Sequence, residues 1–302
     1  MAGLKELRNR IEAIKSTQKI TSAMKMVAAS RLRRAQLALV KIEAYRECLY
    51  NTVSRILYTL RVQAKEQGKE LEKKWLCAPK PQQQKYLLVI LTSDRGLCGS
   101  YNSSIVRQAT ARIEELKASD KEVQIICLGY RGYNALKGRY GDMIIRYDES
   151  VVTDGVFYEE GVALADEISE MYMADKIDVC EIIYSRFISA LNRDVVSEEV
   201  LPFDISVIET GVNDMEGNAY YEAEPCTIDM LELTVPLAFK EHIYDIMINT
   251  QASEQGARMT SMDNATRNAT DMISKLTLRY NRLRQTAITT ELTEIIAGAE
   301  AI

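Results

Sequence analysis

The sequence predicts an α/β protein in which a long antiparallel coiled coil of N- and C-terminal helices carries an inserted Rossmann-like open α/β head. Three observations predict it. A 3-4 repeat of apolar positions opens the chain, a second long helical run closes it, and between them short β-rich runs alternate with helical stretches. The expected organisation is a coiled-coil helix over 1–62, an α/β head with its connectors over 63–225, and a second coiled-coil helix over 226–302.

The opening repeat runs Leu4, Leu7, Ile11, Ile14, Gln18, Thr21, Lys25, Ala28, Leu32, Ala35, Leu39, Ile42, Arg46, Leu49, Val53, Ile56 and Leu60, the a/d seam of a coiled coil. Neither Gly nor Pro falls between Gly3 and Gly68. At about 1.5 Å per residue such a helix is on the order of 85 Å long, far beyond an ordinary globular helix. Lys25 and Arg46 sit on the seam. A charge there destabilises a two-helix coil, so each calls for splayed helices or a third partner alongside.

The connector 64–84 follows, with a charge run from Lys65 to Lys74 and with Pro79 and Pro81. Strands are expected at Tyr86–Leu91, Val123–Leu128, Met143–Tyr147 and Val179–Tyr184, and helices at Asn102–Leu116, Tyr130–Lys137 and Val156–Met173. This alternation calls for an open, mostly parallel sheet covered by helices. A second connector, 211–225, precedes the closing run from Leu237 to Ala299. That run is free of proline and places Met262, Ala265, Ala269, Met272, Leu276, Tyr280, Leu283 and Ala287 at spacings of three and four. The alanines on this seam let two helix backbones come close.

Composition bounds the function. Hydrophobic residues make up 47% and charged residues 27% of 302 residues, as in a folded globular protein of roughly two structural units. No apolar run reaches the roughly 18 residues of a membrane span, and residues 1–20 lack the pattern of a signal or transit peptide. Six cysteines without a C-x-x-C argue for free thiols. The net charge of −5 divides unevenly: residues 1–60 hold 12 Lys/Arg against 4 Asp/Glu, and the remainder 26 against 39. A basic rod on an acidic body suits acidic protein loops. Its basic residues are dispersed and no nucleic-acid-binding module is visible, so nucleic acid is not an expected partner.

Catalytic constellations are missing. Ser93-Asp94-Arg95-Gly96-Leu97-Cys98-Gly99-Ser100 follows the first strand, where a dinucleotide fold holds phosphate, but its spacing is G-x-x-G rather than G-x-G-x-x-G. The second strand ends in Gly129 instead of a ribose-binding acid, and no Walker motif occurs. His242 is the only histidine, which argues against His-based metal sites and relays. The pairs Glu159-Glu160 and Glu198-Glu199 are adjacent, so their side chains diverge. Met24, Met26, Met259, Met262 and Met272 read as seam and bearing surface. No catalytic residue, cofactor or metal is expected. The apolar end from Leu292 to Ile302 has too little polar cover for a free helix end and suits a hydrophobic sleeve.

Three stretches carry a resemblance: Ile11 to Ser30 (IEAIKSTQKITSAMKMVAAS), Thr92 to Gly99 (TSDRGLCG) and Arg284 to Ala301 (RQTAITTELTEIIAGAEA). Together they closely resemble the gamma subunits of F-type ATP synthases. The closing motif is the most specific, with Ile288, Thr289, Glu291, Glu294, Gly298 and Ala299 on the family's C-terminal signature. Ser100 replaces the glycine usual there, and the chloroplast-type regulatory cysteine pair is absent, so thiol control is not expected.

The resemblance implies a central rotor shaft. Its terminal helices would sit inside a ring of alpha and beta subunits, while its head would meet the epsilon-type (mitochondrial delta) subunit and the c-ring. Rotation of the ring would drive each beta subunit through its conformational states, with no bond chemistry in the shaft. By motif, Met24 and Lys25 would face the acidic lever loop of a beta subunit, and Arg258, Arg284, Gln285 and Thr289 would meet its catch loops, with Glu291 and Glu294 on the same helix. Tyr220, Tyr221, Glu222 and Glu224 would form the foot against the c-ring and the epsilon-type subunit. The implied location is peripheral, on the cytoplasmic face of a bacterial inner membrane or the matrix face of a mitochondrial one. The residues alone leave two other classes open. A coiled-coil scaffold or tethering protein would self-associate through its rods, and a nucleotide-dependent oxidoreductase would bind its cofactor directly.

Overall fold

A computed structural model describes residues 2–66, 75–77, 79–149, 158–203 and 227–300. In order the elements are α1 (Ala2–Glu66), a 3-10 turn (Trp75–Cys77), β1 (Lys85–Leu91), α2 (Tyr101–Ala118), β2 (Glu122–Leu128), α3 (Tyr130–Tyr140), a 3-10 turn (Gly141–Met143), β3 (Ile144–Asp148), α4 (Tyr158–Met173), β4 (Val179–Phe187), β5 (Arg193–Leu201) and α5 (Thr227–Glu300). The chain forms two compact units, one of residues 31–257 and one of residues 1–30 with 258–302. The division cuts both long helices.

Within residues 31–257 the sheet order is β3-β2-β1-β4-β5. The first four strands are parallel, as expected, and β5 adds an antiparallel edge. β5 is not among the strands that the sequence pattern predicts. Asp194, Ser197, Glu198 and Glu199 mask its β character, and its register to β4 rather than local apolar patterning makes it a strand. β1 lies in the middle and is buried on both faces, hence the unbroken run Leu87 to Leu91.

Strand alternation sorts that run into two cores. Leu87, Val89 and Leu91 pack with Ile42, Val53 and Ile56 of α1, Leu164 and Ile168 of α4, and Val235, Phe239, Ile243 and Met247 of α5. Leu88 and Ile90 pack with Ile105, Ala109 and Ile113 of α2 and Leu136 of α3. Each such side chain contributes about 1.5–3 kcal/mol when fully withdrawn from water. α5 begins ten residues before Leu237 and contains Pro236. A proline inside a helix removes one backbone donor and crowds the preceding turn; here its neighbours Val235, Ala238 and Phe239 are locked in the core.

Both helical seams are legible. On α1 every seam position from Leu4 to Ile56 is buried or half-buried. On α5 Met262 and Ala269 are buried and Ala265, Leu276, Tyr280 and Ala287 half-buried, but Met272 and Leu283 are exposed. Half-buried Ile273 takes the place expected of Met272, because a 3-4 repeat continued from Met262 through Thr266 and Ala269 lands on 273.

Candidate interaction surface

The paired ends are held in register by polar side chains. Gln18 Nε2 donates to Thr270 Oγ1 at 2.7 Å, Thr266 Oγ1 to Thr21 Oγ1 at 2.9 Å, and Lys25 Nζ to Asp263 Oδ1 at 2.5 Å. Paired residue numbers add to 287 or 288, so the strands of this coil are antiparallel. Lys25, its cation on the seam, needs no splay or third partner there: Asp263 answers it from α5, and Arg267 Nη2 joins the same carboxylate at 2.7 Å. The hydrogen bond from Lys25, with Arg267 nearby, holds the Asp263 carboxyl below its ordinary value. Polar pairs at seam positions fix register at some cost in stability.

Arg46, the second seam cation, is answered in the same way inside residues 31–257. Its Nη1 lies 2.8 Å from Asp245 Oδ2. Sequence reasoning missed both aspartates. The signal was present, since each lies on the closing helix where an antiparallel register brings it level with the cation.

The same register places the start of α1 level with about residue 286, so the last turns of α5 extend beyond it. There Ile288, Leu292, Ile295 and Ile296 are exposed, the third at 71%. Arg284, Gln285, Thr289, Glu291 and Glu294 are exposed on the same stretch. Thr289 Oγ1 donates back to the Gln285 carbonyl at 2.9 Å, and Thr286, Thr290 and Thr293 do likewise, which leaves this surface apolar and acceptor-rich rather than bristling with donors. Met24 and Lys25 are half-buried, while Ile20, Met26 and Val27 on the outer face of α1 are exposed.

Arg258 differs from the other expected contact residues: it is 8% exposed, and roughly 39 Å of helix separates it from Arg284 at about 1.5 Å per residue. Tyr220, Tyr221, Glu222 and Glu224 lie outside the described residues, as do the connector 211–225 and residues 67–74 and 78 of the connector 64–84.

The glycine-rich turn is shaped by its own side chains. Ser93 N donates to Asn102 Oδ1 at 3.0 Å, Asn102 Nδ2 to Ser93 Oγ at 2.8 Å, and Tyr130 N to Asp94 Oδ1 at 2.9 Å. Gly99 has φ +60°, the left-handed region where a side chain is strained. Gly129 has φ +107°, and a Cβ there would come within 2.2 Å of the Thr92 carbonyl oxygen. The position of the ribose-binding acid in a dinucleotide fold is therefore sterically closed to any side chain.

His242 is a packed residue: its Nε2 lies 3.0 Å from Glu198 Oε1. Burial alone would raise the Glu198 carboxyl, but hydrogen bonds from His242 and Tyr184 and the nearby Arg186 bring it down to about 2. Glu241 behaves oppositely. Burial dominates, Arg46 offsets only part of it, and its carboxyl is pushed up to about 7. No three His, Cys, Asp or Glu side chains among the described residues are arranged to hold a metal ion.

The family model described as ATP synthase matches residues 3–302. Proteins named ATP synthase gamma chain are similar along their whole length: that of Paramagnetospirillum magneticum is 41% identical and that of Erythrobacter litoralis 42%, each covering 100% of both chains. The chain belongs to the ATP synthase gamma-chain family. Among solved structures, the Tetrahymena thermophila mitochondrial ATP synthase central stalk and c-ring contains a chain 26% identical, with TM-score 0.57, over 82% of this chain and 99% of that one. A chain of the Euglena gracilis mitochondrial ATP synthase is 17% identical with TM-score 0.62, over 99% of this chain and 94% of that one, and shares the fold. Among the described residues of this family member, no helix is long and apolar enough to cross a membrane.

Proposed function

We propose that this chain is the central rotor shaft of an F-type ATP synthase, coupling proton-driven rotation of a c-ring to conformational cycling of catalytic beta subunits, in synthesis or hydrolysis. Whole-length identity of about 40% to gamma chains carries the reading. The antiparallel pairing of the chain ends and the apolar end of α5 support it. In this role the chain is non-catalytic, and its three parts are the helix 1–62, the head 63–225 and the helix 226–302.

The alpha and beta subunits surround the paired ends. Ile288, Leu292, Ile295 and Ile296 supply an apolar bearing surface, and Arg284, Gln285, Thr289, Glu291 and Glu294 supply polar contacts to beta loops. Lys25 meets an acidic beta loop by sharing its ammonium with Asp263, and Met24 lies beside it. Arg258, being buried, acts by holding the helix in place. Tyr220, Tyr221, Glu222 and Glu224 form the foot on the c-ring and the epsilon-type subunit. The chain is peripheral to the membrane, on the cytoplasmic face in a bacterium and the matrix face in a mitochondrion. Exposed ion pairs contribute only about 0–1 kcal/mol each, so torque is spread over many contacts.

The deciding experiment mixes the purified chain with alpha and beta subunits from the same source and measures co-elution and Mg-ATP hydrolysis. A large complex whose ATPase activity is lost when residues 284–302 are deleted supports the shaft. Separate elution with no effect on hydrolysis overturns it.

A further inference from the structure

We propose that the cavity between the start of α2 and the β4–β5 hairpin is a binding site for a phosphate oxyanion. The sheet order puts the switch point of the fold between β1 and β4: from β1 the chain crosses to β2 on one side, and from β3 it returns to β4 on the other. In open parallel sheets the connections diverge at that point and leave a crevice for a ligand. A cavity of about 460 Å³ opens on the β4 side of that point, lined by Ser100, Tyr101 and Ser104 from the start of α2 and by Ser185 and Asn192 to Val195 from β4, β5 and their connection.

Two independent features point to an anion. The first is the start of α2, an 18-residue helix whose cap residue Ser100 makes no side-chain cap hydrogen bond and whose first turn holds no acidic residue. Asn102, the other side chain suited to capping, is turned to Ser93. The backbone amides of Asn102 and Ser103 make no backbone hydrogen bond among the described residues. Unsatisfied first-turn amides and the positive end of the helix dipole favour an anion.

The second is Ser185. It is 1% exposed, lines the cavity, and its Oγ has no hydrogen-bond partner among the described residues. A buried hydroxyl of this kind calls for a ligand atom.

Register adds the cation. Ser185 lies opposite Val195, so Ser185, Val195 and, two residues along, Arg193 share one face of the sheet, the face that α2 covers. Asp194 lies opposite Arg186, and by the same alternation belongs to the other face. Arg193 and Ser185 therefore share the face next to the start of α2, while Asp194, whose residue also lines the cavity, alternates to the other face of the sheet. The closed position at Gly129 and the G-x-x-G spacing rule out the dinucleotide mode, and a single phosphate group is the ligand that these donors fit. It would come either as free phosphate or as the phosphate of a nucleoside monophosphate. The inference does not depend on the rotor reading.

The test is equilibrium dialysis of the full chain with radiolabelled inorganic phosphate and, in parallel, with AMP, with melting curves to verify folding. Saturable binding at one site per chain is expected. Arg193→Gln and Ser104→Asp, which places a carboxylate in the first turn of α2, should each weaken it by about tenfold or more. Ser185→Ala should weaken it severalfold. Phosphate that displaces AMP completely identifies the phosphate group alone as the determinant; AMP binding without phosphate binding identifies the nucleotide as the source. Absence of saturable binding of both at millimolar concentration, or binding unchanged in folded Arg193→Gln and Ser104→Asp, overturns the proposal.

Discussion

Residues 31–257 and the paired chain ends draw on the same two long helices but are held together by different physics. In 31–257, α1 and α5 add Val53, Phe239 and Met247 to a continuous apolar core under a five-stranded sheet, where each side chain is essentially inaccessible to water. Among the described residues of the paired ends, Ile11, Ala28, Met262 and Ala269 are the buried apolar ones, and three successive seam positions are polar, matched across the coil by hydrogen bonds. The first arrangement resists any rearrangement. The second fixes register while leaving Ile20, Met26 and Val27 exposed on its outer face.

The largest expected effect lies in the apolar core. Phe239 packs edge-on against Phe203 with ring centroids 5.9 Å apart. Phe239→Ala should cost about 3–5 kcal/mol in denaturant unfolding of residues 31–257. A loss below about 1 kcal/mol would mean that this core tolerates cavities and that the two regions differ less in how they are held together.

Next comes the buried carboxyl that the core does not neutralise. The ordinary Glu value is 4.5, and that of Glu241 in the fold is about 7. Folding therefore binds a proton between those values, and stability falls as pH rises from about 4.5 to 7, then levels off. Glu198 has the opposite sign: its value of about 2 in the fold gives stability present above 4.5 that is lost as pH falls toward 2. Glu241→Gln should flatten the profile between pH 5 and 7 and raise stability at pH 8 by up to roughly 3 kcal/mol. An unchanged slope would remove Glu241 as its source.

The two seam cations sharpen the comparison further because they make the same kind of contact in different surroundings. Lys25 is 44% exposed and Arg46 30%, and burial raises the carboxyl of Asp245, the partner of Arg46. Arg46→Ala would leave Asp245 and Glu241 without their nearest cation and should cost about 2 kcal/mol. Lys25→Ala should cost only about 0–1 kcal/mol. Double-mutant cycles with Asp245→Asn and Asp263→Asn measure both couplings, and equal values would erase the distinction.

Local pattern made most of the fold readable, and non-local pairing explains what was not. The parallel strands and helices from Tyr86 to Tyr184 announce themselves by apolar runs of the right length. β5 does not, because Glu198 is held by Tyr184, Arg186 and His242, from β4 and α5. The proline-free run begins only at Leu237 because Pro236 is a local stop signal, and in α5 the core overrides that signal. At the candidate surface, the motif singles out Arg284, Gln285, Thr289, Glu291 and Glu294, all of which are exposed. The same motif gave no indication that Arg258 is buried, or that Lys25 is already engaged by a carboxylate 238 residues away.

The smallest expected effect on the free chain is also the most discriminating. Ile288, Leu292 and Ile295 lie beyond the start of α1 and are already exposed, so replacing all three with serine removes no apolar burial from the chain. Serine lowers helix propensity by a few tenths of a kcal/mol at Leu292 and hardly at all at the two isoleucines. The melting of residues 31–257 should therefore be unchanged, and far-ultraviolet circular dichroism should fall only by the fraying of the last turns. Association with alpha and beta subunits should weaken by at least about tenfold, because the lost apolar area is buried only in the complex. If the triple variant assembled normally, the end of α5 would not be a bearing surface. If it unfolded the free chain, those residues would have been packed within it, and the contrast between a self-sufficient core and partner-dependent ends would fail.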